Sequence, residues 1–147
     1  MSTISSMHDA LITRLETVLS GHLRLTNPYD LEQNPERFLN QGYGLAFGAG
    51  ENTKQIIDCM LSMRMDINIS ITRQFVGQET DAAGKATVEK NLFEDQLLVI
   101  KDFCNNISIG TIDFNGHNGI EFIVAEKSNF LALRSTFSII YFESIHI

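Results

Sequence analysis

The sequence predicts a single α+β domain spanning 1–147, a mainly antiparallel sheet with a long central strand, packed by an N-terminal helix and a longer helix at about 82–104. Three observations predict it. Apolar residues hold every odd position over 57–71, with polar ones between them except at Met60. Two other stretches carry apolar residues at helical spacing, and further alternating runs follow the second of them. The chain is long enough for one core, and its 44% hydrophobic and 20% charged residues exclude extensive disorder.

Residues 1–5 read as a loose leader. Ser6 is the expected N-cap, with Asp9 three residues on in the manner of a capping box. Met7, Leu11, Leu15, Val18 and Leu19 then recur on one helical face over roughly 6–20, and Gly21 is placed to stop it. His22–Thr26 alternates weakly, as a short strand does. Asn27-Pro28-Tyr29-Asp30 is turn chemistry, and Asn34-Pro35 starts a helical turn carrying Phe38 and Leu39. Tyr43, Leu45 and Phe47 alternate among Gly42, Gly44, Gly48 and Gly50, which predicts a strand at 43–47 flanked by flexible turns. Gly42-x-Gly44 does not sit between a strand and a helix, so it is no dinucleotide fingerprint.

In the central run, Ile57, Cys59, Leu61, Met63, Met65, Ile67, Ile69 and Ile71 hold the odd positions. Asp58, Ser62, Arg64, Asp66, Asn68, Ser70 and Thr72 hold even ones, with Met60 the exception. A strand of that length extends roughly 50 Å and is expected to bend, or to project with an edge open to a neighbour. A polar loop at 77–84 leads to the second helix. There Ala86, Leu92, Phe93, Leu97, Ile100, Phe103 and Cys104 form the expected inward stripe, with Glu89, Lys90, Glu94, Asp95, Lys101 and Asp102 outside. Strands at 107–114, 120–125 and 130–142 close the chain. Asn115-Gly116-His117-Asn118-Gly119 is the turn between the first two, and Leu131, Leu133, Phe137, Ile139 and Tyr141 share a face.

A net charge of −7 and a pI near 4.9 disfavour tight wrapping of nucleic acid, though a channel through which DNA slides would suit this sign. Solubility alone also accounts for it. Cys59 and Cys104 lack metal-ligand spacing and are expected as buried free thiols in a reducing cytoplasm. No apolar run reaches the ~18 residues of a membrane span, and the N-terminus has no secretion-signal pattern.

The sequence holds no pattern specific to reactive chemistry. His8, His22, His117 and His146 are dispersed, and His117 reads as an exposed loop residue. Asp58 and Asp66, or Glu94 and Asp95, can be imagined as paired carboxylates, but each pair reads as a solvated face. No nucleophile elbow, phosphate loop or zinc-helix motif is present. The expectation is a non-enzymatic protein with no cofactor and no bound metal, acting by presenting surfaces.

Asn27-Pro28-Tyr29-Asp30, Asn34-Pro35-Glu36, Gly42-Tyr43-Gly44 and Glu51-Asn52-Thr53 resemble the early part of tail-terminator or neck proteins of tailed bacteriophages. Ser62–Arg73 resembles their long central strand, and Gly119–Phe122 and Phe130–Phe137 their closing strands. The likeness runs from the first helix to Glu143. It implies a virion protein forming a ring, usually of six copies, that caps the tail tube, stops its growth and joins tail to head. Its partners are then copies of itself, the tube protein and head–tail connector proteins, with DNA as cargo through the lumen and no membrane. The family supplies no catalytic residues. The loops at 48–54 and 77–84 adjoin the two ends of the long strand, so Glu51 and Asn52, with Phe75, Val76, Gln78 and Glu79, are the candidate interface residues. The competing expectations are another neck or head-completion ring, a monomeric ligand-binding module with the meander curled round a pocket, and a metal-dependent phosphoryl-transfer enzyme using Asp58 or Asp66.

Overall fold

The computed structural model describes residues 3–24, 41–57, 60–75, 82–107, 110–124 and 129–144. Helix α1 spans Thr3–Val18, four residues earlier than a Ser6 cap would give. The reason is tertiary. The Glu143 carboxylate, far along the chain, accepts the Thr3 backbone N–H at 3.0 and 3.2 Å. A carboxylate there both satisfies an orphan donor and meets the positive end of the helix dipole, so the first turn needs no Ser6 cap.

Strand β1 (Leu23–Arg24) pairs parallel with the start of β2 (Gln41–Ile57). β3 (Met60–Phe75) follows, then α2 (Ala82–Asn106), β4 (Thr111–Val124) and β5 (Asn129–Ser144). These five strands lie in the order β1-β2-β3-β5-β4, antiparallel except for β1 on β2. The fold is therefore α+β with a mostly antiparallel sheet. The 27–40 turn and helix start, Asp58, Cys59 and 76–81 lie outside the described residues.

The alternating run belongs to two strands. Ile57 ends β2 and partners Met60 across a hairpin, and the strand then runs on to Phe75. Alternation alone does not reveal the break, because the apolar phase carries on from one strand into the next. β3 has no open edge. It is paired with β2 on one side and with β5 on the other, from Met60↔Ser144 to Phe75↔Asn129. Its apolar face explains the central place: Ile67, Ile69 and Ile71 are buried with Leu131, Leu133, Phe137, Ile139 and Tyr141. Met7, Leu11, Ile12 and Leu15 of α1 and Leu92, Val99 and Phe103 of α2 complete this core, so both helices lie on one side of the sheet.

Two predicted loops are strand instead. β2 is far longer than 43–47: residues 48–54 continue it, and Gly50, Glu51, Asn52 and Lys54 pair with β3 through register shifts, the first between Phe47 and Gly50. Residues 115–119 interrupt β4 without ending it. Register shifts fall between Phe114 and Gly116 and between His117 and Ile120, and Gly116 and Gly119 hold φ of 113° and 86°. Bulges of this kind absorb extra residues at φ values that only glycine takes easily, which is why the glycines read as a turn. Among the described residues, no helix is long and apolar enough to cross a membrane.

Candidate assembly surface

The rotation of α2 about its axis defines the surface, and buried polar groups set that rotation. Asp95 is 5% exposed. It accepts two hydrogen bonds from Arg73 of β3, at 2.7 and 2.9 Å, and lies 3.2 Å from Nε2 of His22. The next residue, Gln96, donates to the buried Ser135 hydroxyl at 2.8 Å. Near the end of the helix, Asp102 is gripped by the Arg14 guanidinium of α1, one bond being 2.9 Å, and accepts from Asn106 at 2.8 Å. Burial alone would raise the Asp95 pKa. The hydrogen bonds from His22 and Arg73, with the Arg73 charge, outweigh it and hold the carboxyl below its ordinary value. The hydrogen bond from Arg14 does the same for Asp102, against a smaller effect of burial. The Nδ1 atom of His22 is buried with no partner among the described residues.

These anchors correct the expected stripe. Leu92, Asp95, Gln96, Val99 and Phe103 face inward, while Phe93, Leu97 and Cys104 face out. Asp95 is thus an internal ion-pair partner and Cys104 an exposed thiol, contrary to expectation. At about 3.6 residues per turn, Ala86, Phe93, Leu97, Ile100 and Cys104 line up as a second apolar stripe beside the buried one. Phe93 is 42% and Leu97 44% exposed. The stripe lies on the flank where β4 is the edge strand. There Phe93 packs edge-on against His117 at 5.6 Å, and half-open Phe114 rests on Phe137 at 5.3 Å.

On the opposite flank, α1 and strands β2 and β3 enclose an open groove of about 440 Å³ lined by Ile4, Ser5, His8, Asp9, Phe47 and Met65. The His8 ring stands edge-on to Phe47 at 5.3 Å. The far face of the sheet is different again. Asp66 accepts from Ser138 at 3.4 Å and lies 3.6 Å from Arg64, Arg64 donates to Ser138 at 3.1 Å, and Asn115 also donates to Ser138. Ile140 and Phe142 are exposed on that face.

The candidate interface residues do not converge. Glu51 and Asn52 are strand residues opposite Arg64 and Met63, whereas Phe75 ends β3 opposite Asn129. Measured along β3, Arg64 and Phe75 are roughly 35 Å apart. Val76, Gln78 and Glu79 lie outside the described residues. Of the imagined carboxylate pairs, Glu94 and Asp95 do not converge, Asp95 pointing in and Glu94 out, and Asp58 lies outside the described residues. Among the described residues, no group of three or more His, Cys, Asp and Glu is placed to hold a metal. The Arg73–Asp95–His22 cluster escaped the sequence reading. Its one signal was Asp95 lying three residues after Leu92 and four before Val99, the spacing of an inward position.

No protein-family model matches this chain, and no curated protein matches it by sequence.

Proposed function

We propose that this chain is a structural subunit that assembles with copies of itself into a ring, and that the ring is the tail terminator of a tailed bacteriophage. The observation that carries the self-assembly reading is the second apolar stripe of α2, half-open on the β4 flank, while a separate apolar-lined groove lies on the other flank. A subunit with two different apolar surfaces on opposite flanks associates head to tail, and such contacts close into rings or grow into filaments. Two-fold pairing would use one surface twice and leave the other bare. The residue-level likeness to tail-terminator proteins supplies the finer part: a ring at the end of the tail tube that halts its growth and presents a joining surface to the head. The net charge of −7 agrees with a lumen through which DNA moves without adhering.

Light scattering on the purified chain, and negative-stain images after mixing with tail-tube protein, test this reading. Closed rings in solution or caps on tube ends are expected. A chain that stays monomeric at high concentration and leaves tubes uncapped would sink it.

A further inference from the structure

We infer that the contact closing the assembly is the α2 stripe of one subunit, centred on Phe93 and Leu97, seated in the neighbouring copy's groove between α1 and strands β2 and β3. This inference rests on the self-assembly reading above and names the surfaces it uses.

Placement carries the argument first. Stripe and groove both belong to the helix-bearing layer of the sheet, one at the β4 flank and one at the β2 flank. A rotation about an axis running roughly along the strands therefore carries one toward the other without turning a subunit over. The strand directions agree with such a step: β2, β3, β5 and β4 alternate and β1 is parallel to β2, so β4 of one copy would approach the β1–β2 flank of the next in antiparallel sense. Direct strand pairing is hindered because β4 is broken by two register shifts around Gly116 and Gly119. The burden of contact then falls on the helix layer, where the apolar side chains stand.

Shape and charge agree. The groove is apolar at its base, with Ile4, Phe47 and Met65, and its 440 Å³ has room for large side chains such as Phe93 and Leu97. Its rim carries Asp9, whose side chain is 72% exposed with His8 3.8 Å away. The stripe is bracketed by exposed Lys90 and Lys101, with Glu94 between them and farther round the helix. Seating the stripe would set Lys90 or Lys101 beside the Asp9 carboxylate, a charge complementarity that favours a second copy as the groove's occupant. One contact of this kind covers both apolar surfaces on every subunit.

Disulfide trapping tests it on the full chain. Leu97→Cys and Ile4→Cys chains are mixed, oxidised mildly, and their bridges located by peptide mass. A bridge between position 97 of one chain and position 4 of the other is expected only in the mixture. A 97–97 bridge alone would show two-fold pairing of α2 and overturn the inference. So would assembly that persists by light scattering with no 97–4 bridge, which would leave the self-assembly reading standing. Loss of all assembly in the unmodified chain would end both. In parallel, Leu97→Lys should weaken self-association about tenfold or more with an unchanged urea midpoint. Asp9→Lys should weaken it less, and combining Asp9→Lys with Lys101→Glu should recover part of the loss.

Discussion

Removing the Arg73 guanidinium strands the Asp95 carboxylate where only 5% of the residue reaches solvent. Arg73→Met should therefore cost about 3–5 kcal/mol in urea unfolding. The double change Arg73→Met with Asp95→Leu should recover most of that, since two well-packed apolar side chains replace a desolvated pair; a double variant no better than the single would refute this account. Acid sensitivity follows from the same carboxylate. Asp95 and Asp102 are both held below their ordinary value of 3.8 in the folded chain. The unfolded chain thus binds these protons first as pH falls, so the stabilisation is full above pH 3.8 and is lost as pH drops through the lower folded values. Urea midpoints should fall below about pH 4, and Asp95→Asn should flatten that fall while lowering stability at neutral pH. None of this cluster was legible by motif. Its members come from two elements and the link between α1 and β1, and an aspartate inside an amphipathic helix carries no local mark of the arginine it meets.

The elements themselves were far more legible than their placement. Alternation exposed the long strand, and the apolar face of β5 was read residue by residue. α2 was bounded to within two residues at its C-terminal end. Its rotation was not, because the helix offers two neighbouring apolar stripes and hydropathy favours the outer one. Polar anchoring to Arg73, Ser135 and Arg14 tips the balance. Glycines misled in the opposite direction: those within β2 and β4 signalled loops, whereas both strands run on through irregular register. The link between α2 and β4 is where a glycine is indispensable for space. A Cβ on Gly110 would lie 2.6 Å from the Ile140 carbonyl oxygen and 3.2 Å from Met7 Cε. Gly110→Ala should cost about 1–3 kcal/mol, as overpacking does, and should speed amide exchange at the start of β4. Wild-type exchange and stability in that variant would contradict the packing described.

At the scale of the whole molecule, the core formed by the described residues sits on one side of the sheet, while the flanks carry surplus apolar surface. Composition placed the chain among globular domains, and the resemblance pointed to assembly, but neither located a contact. The loops chosen for that role are strand or lie outside the described residues. What they lacked was knowledge of which strand is central: β3, the best candidate for a sticky edge, spends both its edges internally, and the sheet's flanks are β4 on one side and β1 with β2 on the other. One long-range contact has a consequence for how the chain can be cut and rejoined. Thr3 and Glu143 touch although 140 positions separate them, so a short Gly-Ser bridge can join the two regions at little entropic cost. A permutant joined there and opened between α2 and β4 should regain the native far-UV spectrum and a cooperative melt. The α1 turn now clamped by β5 would then follow it directly along the chain.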